Sequence, residues 1–181
     1  NIAFHTEELG DILKELGSSA FTDTSLPPTD VLARLERISV QLRIAEKNLE
    51  QCMAYEEQFK NVALSDRTSL DEALQVFAYR EELWTRVQKW QDAEHGWLTA
   101  SFSDLDVQSI GETVTTYLKV AHKLYKQYKE PLVLETLQES ADRYHQWMPP
   151  LLDLGNPAMQ RRHWKVIFEH LGVPAPTEFS L

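Results

Sequence analysis

The chain reads as all-helical, an elongated bundle of long antiparallel helices with heptad-like seams. Three observations carry that reading. Glycine is scarce, at six residues in 181, and the Val/Ile/Thr alternation of strands is almost absent. Apolar residues recur instead at alternating steps of three and four through three consecutive stretches, which gives each helix one apolar stripe. The stretches are joined by breaks of a few residues, so neighbouring helices should double back on one another. No self-similarity at the roughly 34- or 40-residue periods of helical solenoids is present.

The elements follow in order. Ile2 to Leu16 forms a short helix, with Gly17 as its left-handed cap. Ser18 to Thr29 is polar, contains Pro27-Pro28, and reads as a loop between helical units. From Asp30 to about Ala63 the seam Leu35, Ile38, Leu42, Ala45, Leu49, Cys52 and Phe59 is broken only at Glu56. After a break over Ser65 to Thr68, Ser69 and Glu72 have capping-box spacing. The third long helix, Leu70 to Thr99, carries Val76, Leu83, Val87, Trp90 and Trp97 on one stripe, with Phe77 and Trp84 beside it. The fourth begins near Asp104 and has the cleanest seam: Val107, Ile110, Val114, Tyr117, Ala121, Leu124 and Tyr128. Pro131 stops it or starts the fifth, whose seam is Leu134, Leu137, Ala141, Tyr144, Met148 and Leu151. Pro149-Pro150 should kink or break that helix. Gly155-Asn156-Pro157 then reads as a start signal, Asn156 as cap and Pro157 in the first turn. The sixth helix runs to Gly172, and Val173 to Leu181 looks extended.

Composition bounds the function. Hydrophobic residues at 43% against 25% charged give the balance of a globular chain, not a disordered one. The net charge of −10 argues against nucleic acid as the main partner, because that affinity rests on Lys and Arg neutralising phosphates. Cys52 is the only cysteine, so no intrachain disulfide can form and an intracellular setting is expected. No run of about 18 apolar residues exists, which leaves no transmembrane helix and no membrane partner. Asn1 and the acidic Glu7-Glu8 resemble neither a signal peptide nor a natural start, so the chain reads as a fragment.

Chemistry is hard to find in it. None of the six glycines begins a phosphate-binding Gly-x-x-x-x-Gly-Lys-Ser/Thr run, and no Rossmann fingerprint or Gly-x-Ser-x-Gly elbow occurs. His5, His95, His122, His145, His163 and His170 form no zinc-ligand pair. Cys52, in a seam, reads as a buried structural thiol. Acidic pairs such as Glu7-Glu8, Glu56-Glu57 and Glu81-Glu82 are adjacent, so they splay around a helix as solvated faces. Catalytic, cofactor and metal residues are therefore expected to be none. Two basic features remain. Lys119, Lys123, Lys126 and Lys129 recur at steps of four, three and three, forming either a solvated ridge or a docking ridge for an acidic partner. Arg161-Arg162-His163-Trp164-Lys165 packs basic and aromatic residues into a turn and a half, with Trp164 expected inside and the arginines lying over it.

The segment Pro149 to Gly172, with Asn156, Pro157, Arg162, His163 and Trp164, resembles the dynein heavy chain motif in which Asn-Pro precedes an Arg-His-Trp triplet. Trp84 to Leu105, with spaced tryptophans followed by Ser-Asp-Leu-Asp, is similar to the same family's approach to the linker. The resemblance covers about residues 70 to 181, and residues 1 to 69 only through helical pattern. It implies a tail-to-linker segment of a motor in which the linker lies across a ring of six AAA+ modules. ATP hydrolysis in that ring moves the linker and yields force on microtubules. The partners implied are the AAA+ ring and the rest of the linker in the same heavy chain, with other dynein subunits as further candidates. The Asn-Pro form points to the axonemal type, hence to a cilium or flagellum rather than the general cytoplasm. The nucleotide motifs of the family lie in the ring, so no cofactor is expected in this fragment and the five motif residues are expected to be structural.

On this reading residues 1–29 are a short helix and Pro-containing loop on the tail side. Residues 30–154 are a long-helix bundle at the start of the linker, and 155–181 are the motif helix and an extended end. The alternative is a spectrin-like helical interaction or tethering module, which leaves the Arg-His-Trp segment unexplained. A helical enzyme would have to use Glu56 and Glu94, the only acidic candidates on the seams.

Overall fold

The computed structural model describes residues 2–58, 67–128 and 131–174. They hold α1 (Ile2–Leu16), α2 (Pro28–Gln58), α3 (Thr68–Thr99), α4 (Val107–Tyr128), α5 (Pro131–Leu154) and α6 (Arg161–Leu171). Single 3₁₀ turns at Ser19–Phe21 and Phe102–Asp104 complete the order, and no strand occurs among the described residues. The all-helical expectation holds. Phe59, the residues up to Ala63, Lys129 and the residues after Pro174 lie outside the described residues. So does the side chain of Tyr128.

Two compact units form, the first comprising residues 1–92 and 130–133, the second residues 93–129 and 134–181. In the first, the α2 seam is buried as its spacing requires: Val31, Leu35, Ile38, Leu42, Ala45 and Leu49 all lie in the core. Each large aliphatic side chain there contributes about 1.5–3 kcal/mol by leaving water. A half-exposed ion pair such as Arg34–Glu15, at 3.0 Å, contributes about 0–1 kcal/mol. The seam therefore holds this unit and the ion pairs trim it. Cys52 is only half-buried, whereas Glu56 is nearly covered at 9% exposure, so the seam fades one turn before the break the sequence marks.

Arg67 Nη2 meets Glu46 on α2 at 2.8 Å, and its Nε meets Asp71 at 3.0 Å. Further along α3, Arg80 and Trp84 reach Phe21, which precedes α2. The two contacts together make α2 and α3 antiparallel.

Several local expectations are corrected. Gly17 does not adopt a left-handed conformation, because Gly172 is the one glycine with positive φ among the described residues. The Gly17 and Ser18 N–H groups bond to the carbonyls of Leu13 (2.9 Å) and Glu15 (3.0 Å), so α1 closes without a chain reversal at the glycine. The stretch taken for a loop contains a buried anchor, Phe21, and α2 already begins at Pro28, whose fixed φ suits a first helical turn. Helix α3 begins at Thr68 with the Arg67 carbonyl accepting the Asp71 N–H at 3.0 Å. Ser69 therefore lies inside the first turn and cannot cap it. Along α3 the buried residues are Leu70, Ala73, Tyr79, Arg80, Leu83, Trp84 and Trp90, while Val76 and Val87 are half-buried.

In the second unit α4 starts at Val107, where Asp106 accepts the Ser109 N–H through Oδ1 at 3.0 Å and the Ile110 N–H through its carbonyl at 3.0 Å. Val107, Ile110, Val114, Ala121 and Leu124 are buried, as are Leu134, Leu137, Ala141, Tyr144 and Met148 of α5. A Cβ at Gly155 would lie 3.5 Å from Val107, and one at Gly111 would lie 3.3 Å from Met148 Sδ. The start of α4 thus meets the end of α5, and the pair is antiparallel. Pro149 and Pro150 do not break α5, which continues to Leu154. Each proline leaves the carbonyl four residues back without its helical donor. Those carbonyls belong to His145 and Gln146, which are exposed and open to water.

Among the described residues no helix is long and apolar enough to cross a membrane. Among the same residues no group of His, Cys, Asp and Glu could hold a metal ion.

Candidate functional site

The motif segment is built around a turn and a short helix. Asn156 Oδ1 accepts the Ala158 N–H at 2.9 Å, and the Asn156 carbonyl accepts the Met159 N–H at 2.9 Å. Those bonds make an Asx turn with Pro157 in its second position, where the proline ring fits the required φ. Asn156 therefore caps a turn, not a helix. The helix α6 begins four residues after Pro157, at Arg161, with Gln160 extended at φ −111° and ψ 159° as its cap. Asn156 and Pro157 are both exposed.

His163 has a role that spacing alone did not reveal. Its Nδ1 accepts the Gln160 N–H at 3.1 Å, closing the first turn as the reciprocal half of a capping box. The signal was present as Gln160-x-x-His163 ahead of an apolar stretch. Arg162 Nε stands 3.2 Å from Nε2 with its N–H directed at it. A neutral imidazole has one acceptor nitrogen, so the ring accepts from either Gln160 or Arg162 at a time, and Arg162 itself is exposed.

Trp164 is buried at 8% exposure, with its ring edge-on to Phe102 at 5.4 Å and tilted against Phe168 at 6.3 Å. Phe102 belongs to the 3₁₀ turn after α3, so the tryptophan ties α6 to that turn. Leu152, at the end of α5, is 52% exposed. Arg161 and Lys165 reach solvent. Along α6, Ile167 and Phe168 are half-buried and Leu171 is exposed. Gly172 ends the helix at φ 67°, with the Val173 N–H on the Phe168 carbonyl at 3.1 Å, a Schellman closure.

The second unit also holds an aromatic cluster. Tyr144 packs edge-on against Trp97 and Trp147, each at 5.4 Å. Burial pushes its phenol up to about 12, and the negative charge of Glu94 and a hydrogen bond to it act in the same direction. Glu94 is thus occupied as a hydrogen-bond acceptor for a tyrosine, which accounts for its place near an apolar stripe.

A shallow groove of about 670 Å³ opens along α4 and α5, with Val107, Gly111, Met148 and Leu152 among the residues that line it. Lys119 lines it too, while Lys123 and Lys126 are exposed further along α4. Lys129, the fourth member of the ridge, lies outside the described residues.

The family model for dynein heavy chain, N-terminal region 2, matches residues 70–181. The chain belongs to the dynein heavy chain family. The matched span opens in the first turn of α3 and includes the whole of the second unit, where the Asn-Pro and Arg-His-Trp residues lie. It coincides with the stretch over which the sequence resemblance is strong.

Among curated relatives, the dynein-1-beta heavy chain of the flagellar inner arm I1 complex of Chlamydomonas reinhardtii is 30% identical over 106 residues, 57% of this chain and 2% of the relative. Human dynein axonemal heavy chain 6 is 26% identical over 165 residues, 89% of this chain and 4% of the relative. Mouse dynein axonemal heavy chain 1 is 26% identical over 152 residues, 78% and 4% respectively. The chain spans only 2 to 4% of the length of these heavy chains. No solved structure matches it.

Proposed function

We propose that this chain is a non-catalytic mechanical segment of a dynein heavy chain, joining the tail to the linker lever that moves over the AAA+ ring during ATP-driven microtubule motility. The observation that carries the reading is the match of residues 70–181 to the N-terminal region of that family. Helices as long as α2, with 31 residues and about 46 Å of rise at 1.5 Å per residue, suit a part that transmits displacement. The sequence supplies no phosphate cradle, which fits a segment whose motor chemistry lies elsewhere in the heavy chain. In this proposal residues 1–29 face the tail, 30–154 begin the linker, and 155–181 carry the motif helix into the rest of it. Asn156, Pro157, Arg162, His163 and Trp164 shape and anchor that helix and bind no cofactor. The partners are the AAA+ ring, the remaining linker and other dynein subunits. The relatives named axonemal and flagellar support a place in the axoneme of a cilium or flagellum.

The test is a distance measurement in the full-length heavy chain. A donor dye attached through Lys165→Cys on the exposed side of α6 and an acceptor on the ring should show energy transfer that changes between nucleotide-free and ATP-analogue states. Transfer that stays constant through the nucleotide cycle would contradict a moving lever.

A further inference from the structure

On α4 the groove and the lysine ridge are parts of one surface. At 100° per residue, Gln108, Thr115, Lys119, His122 and Lys126 fall within about 60° of one another around the helix, and Lys123 lies just beside them. The groove rim therefore continues along α4 as a basic stripe, about 27 Å from Gln108 to Lys126 at 1.5 Å per residue.

Lys119 and Lys123 of this stripe are not balanced locally. Glu112 is the only acidic residue in α4, and neither Lys119 nor Lys123 has an acid three or four positions away. Among the described residues Lys119, Lys123 and Lys126 make no ion pair, whereas Arg86 pairs with Glu82 and Lys165 with Glu169 at helical spacing. This occurs in a chain with 28 acidic and 18 basic residues, where Lys14, Lys47, Lys89 and Lys165 each have an acid three or four positions away. The groove is apolar at its floor, where Met148 Sδ packs against Gly111, 3.3 Å from where a Cβ would stand, and Leu152 stands open at 52% exposure.

We infer that this face of α4 and α5 is a docking site for an acidic amphipathic helix of another polypeptide. Apolar side chains at steps of three and four would enter the groove over Val107, Gly111, Met148 and Leu152, and carboxylates on the flank would meet Lys119, Lys123 and Lys126. The volume suits two or three such side chains, lying within the roughly 300–1,000 Å³ of ordinary binding pockets. A nucleic-acid strand fits less well, because Glu112 stands on the rim and the chain as a whole is strongly acidic. The inference does not depend on the lever reading, since the face binds its partner whether or not the segment moves.

The probe is a designed fluorescein-labelled helix with Leu at positions i, i+3, i+4 and i+7 and Glu on the flanks, titrated with the 181-residue chain by fluorescence anisotropy. Saturable binding that weakens as salt rises is expected, with at least a tenfold loss in Lys119→Glu/Lys123→Glu. Both lysines are exposed, so this variant keeps its fold, which circular dichroism checks. Replacing Leu by Gln in the probe, or Thr115→Trp at the groove, should also weaken binding. The inference is overturned if the probe does not saturate, if a Lys-for-Glu probe binds equally well, or if the double variant binds as the parent does. Tighter binding of poly(U) or of anionic vesicles to the same lysines would overturn it as well. So would self-association of the chain abolished by the double variant, which would assign the face to a second copy.

Discussion

The carbonyl of Phe21 is the point where the first unit should be most sensitive to a small change. Arg80, 3% exposed, donates Nη1 to it at 3.0 Å, and Trp84, 1% exposed, donates Nε1 at 3.2 Å. The guanidinium also lies 5.7 Å from the Phe21 ring and 6.0 Å from the Tyr79 ring. Arg80→Met removes a charge-assisted hydrogen bond, about 1.5–3 kcal/mol, and a desolvated cation–π contact of about 2 kcal/mol. It also relieves the burial of a charge, and the Met stem refills most of the space. The net loss should be about 1–2 kcal/mol. Trp84→Phe removes the second donor for about 1 kcal/mol and leaves a small void for about 1 more.

In either single variant the carbonyl keeps one donor, but in the double variant it keeps neither, and a buried unsatisfied carbonyl costs a further 1–3 kcal/mol or so. The two changes should therefore cost at least about 1 kcal/mol more together than the sum of the singles. Urea unfolding of the four proteins, followed by far-ultraviolet circular dichroism, measures this directly. For a unit of about 100 residues each kcal/mol also shifts the melting temperature by roughly 4–8 °C. Additive losses, or an Arg80→Met variant at least as stable as the parent, would refute the shared-acceptor account. The guanidinium would then be a buried charge that only costs stability.

Two other outcomes follow from single residues. Gly172→Ala should destabilise the end of α6 by about 1 kcal/mol, because a Cβ is disfavoured at φ 67°, and this would be seen as faster amide exchange at Val173. Tyr144 should remain protonated until about pH 12 while ordinary tyrosines ionise near 10, and Glu94→Gln should bring its phenolate absorbance transition down. Its folded-state value lies above the unfolded one, so the stability it contributes is complete below about pH 10 and is lost as pH rises towards 12.

The seams of α2, α4 and α5 were legible because one apolar stripe per helix is enough to choose the buried face. The α2 seam to Leu49 and the α4 seam to Leu124, apart from half-buried Tyr117, lie in the core as spaced. What could not be read was whatever depended on a partner distant in sequence. Arg80 looks like a surface residue until Phe21, 59 positions earlier, is placed above it. Trp84 likewise finds its hydrogen bond 63 positions away. Trp164 was legible as buried from its own helix, but Phe102 as its neighbour depends on how the chain returns after α3. The Asn156-Pro157 error has a local cause. The same Asn side chain can cap a helix or close an Asx turn, and the residues from Ala158 to Gln160 decide for the turn. His163 as a cap acceptor was missed because histidine is not the usual third residue of a capping box.

The central claim, that α6 is held as a structural part of a moving lever, is tested most directly by Trp164→Ala in the full-length heavy chain. Truncating a buried tryptophan typically costs about 3–5 kcal/mol, and here it also removes the ring contact with Phe102 that anchors the helix. Microtubule gliding should slow sharply or stop while nucleotide binding by the ring is retained, and Arg161→Ala, at an exposed position, should glide normally. Gliding at the parental speed with Trp164 replaced would contradict the account.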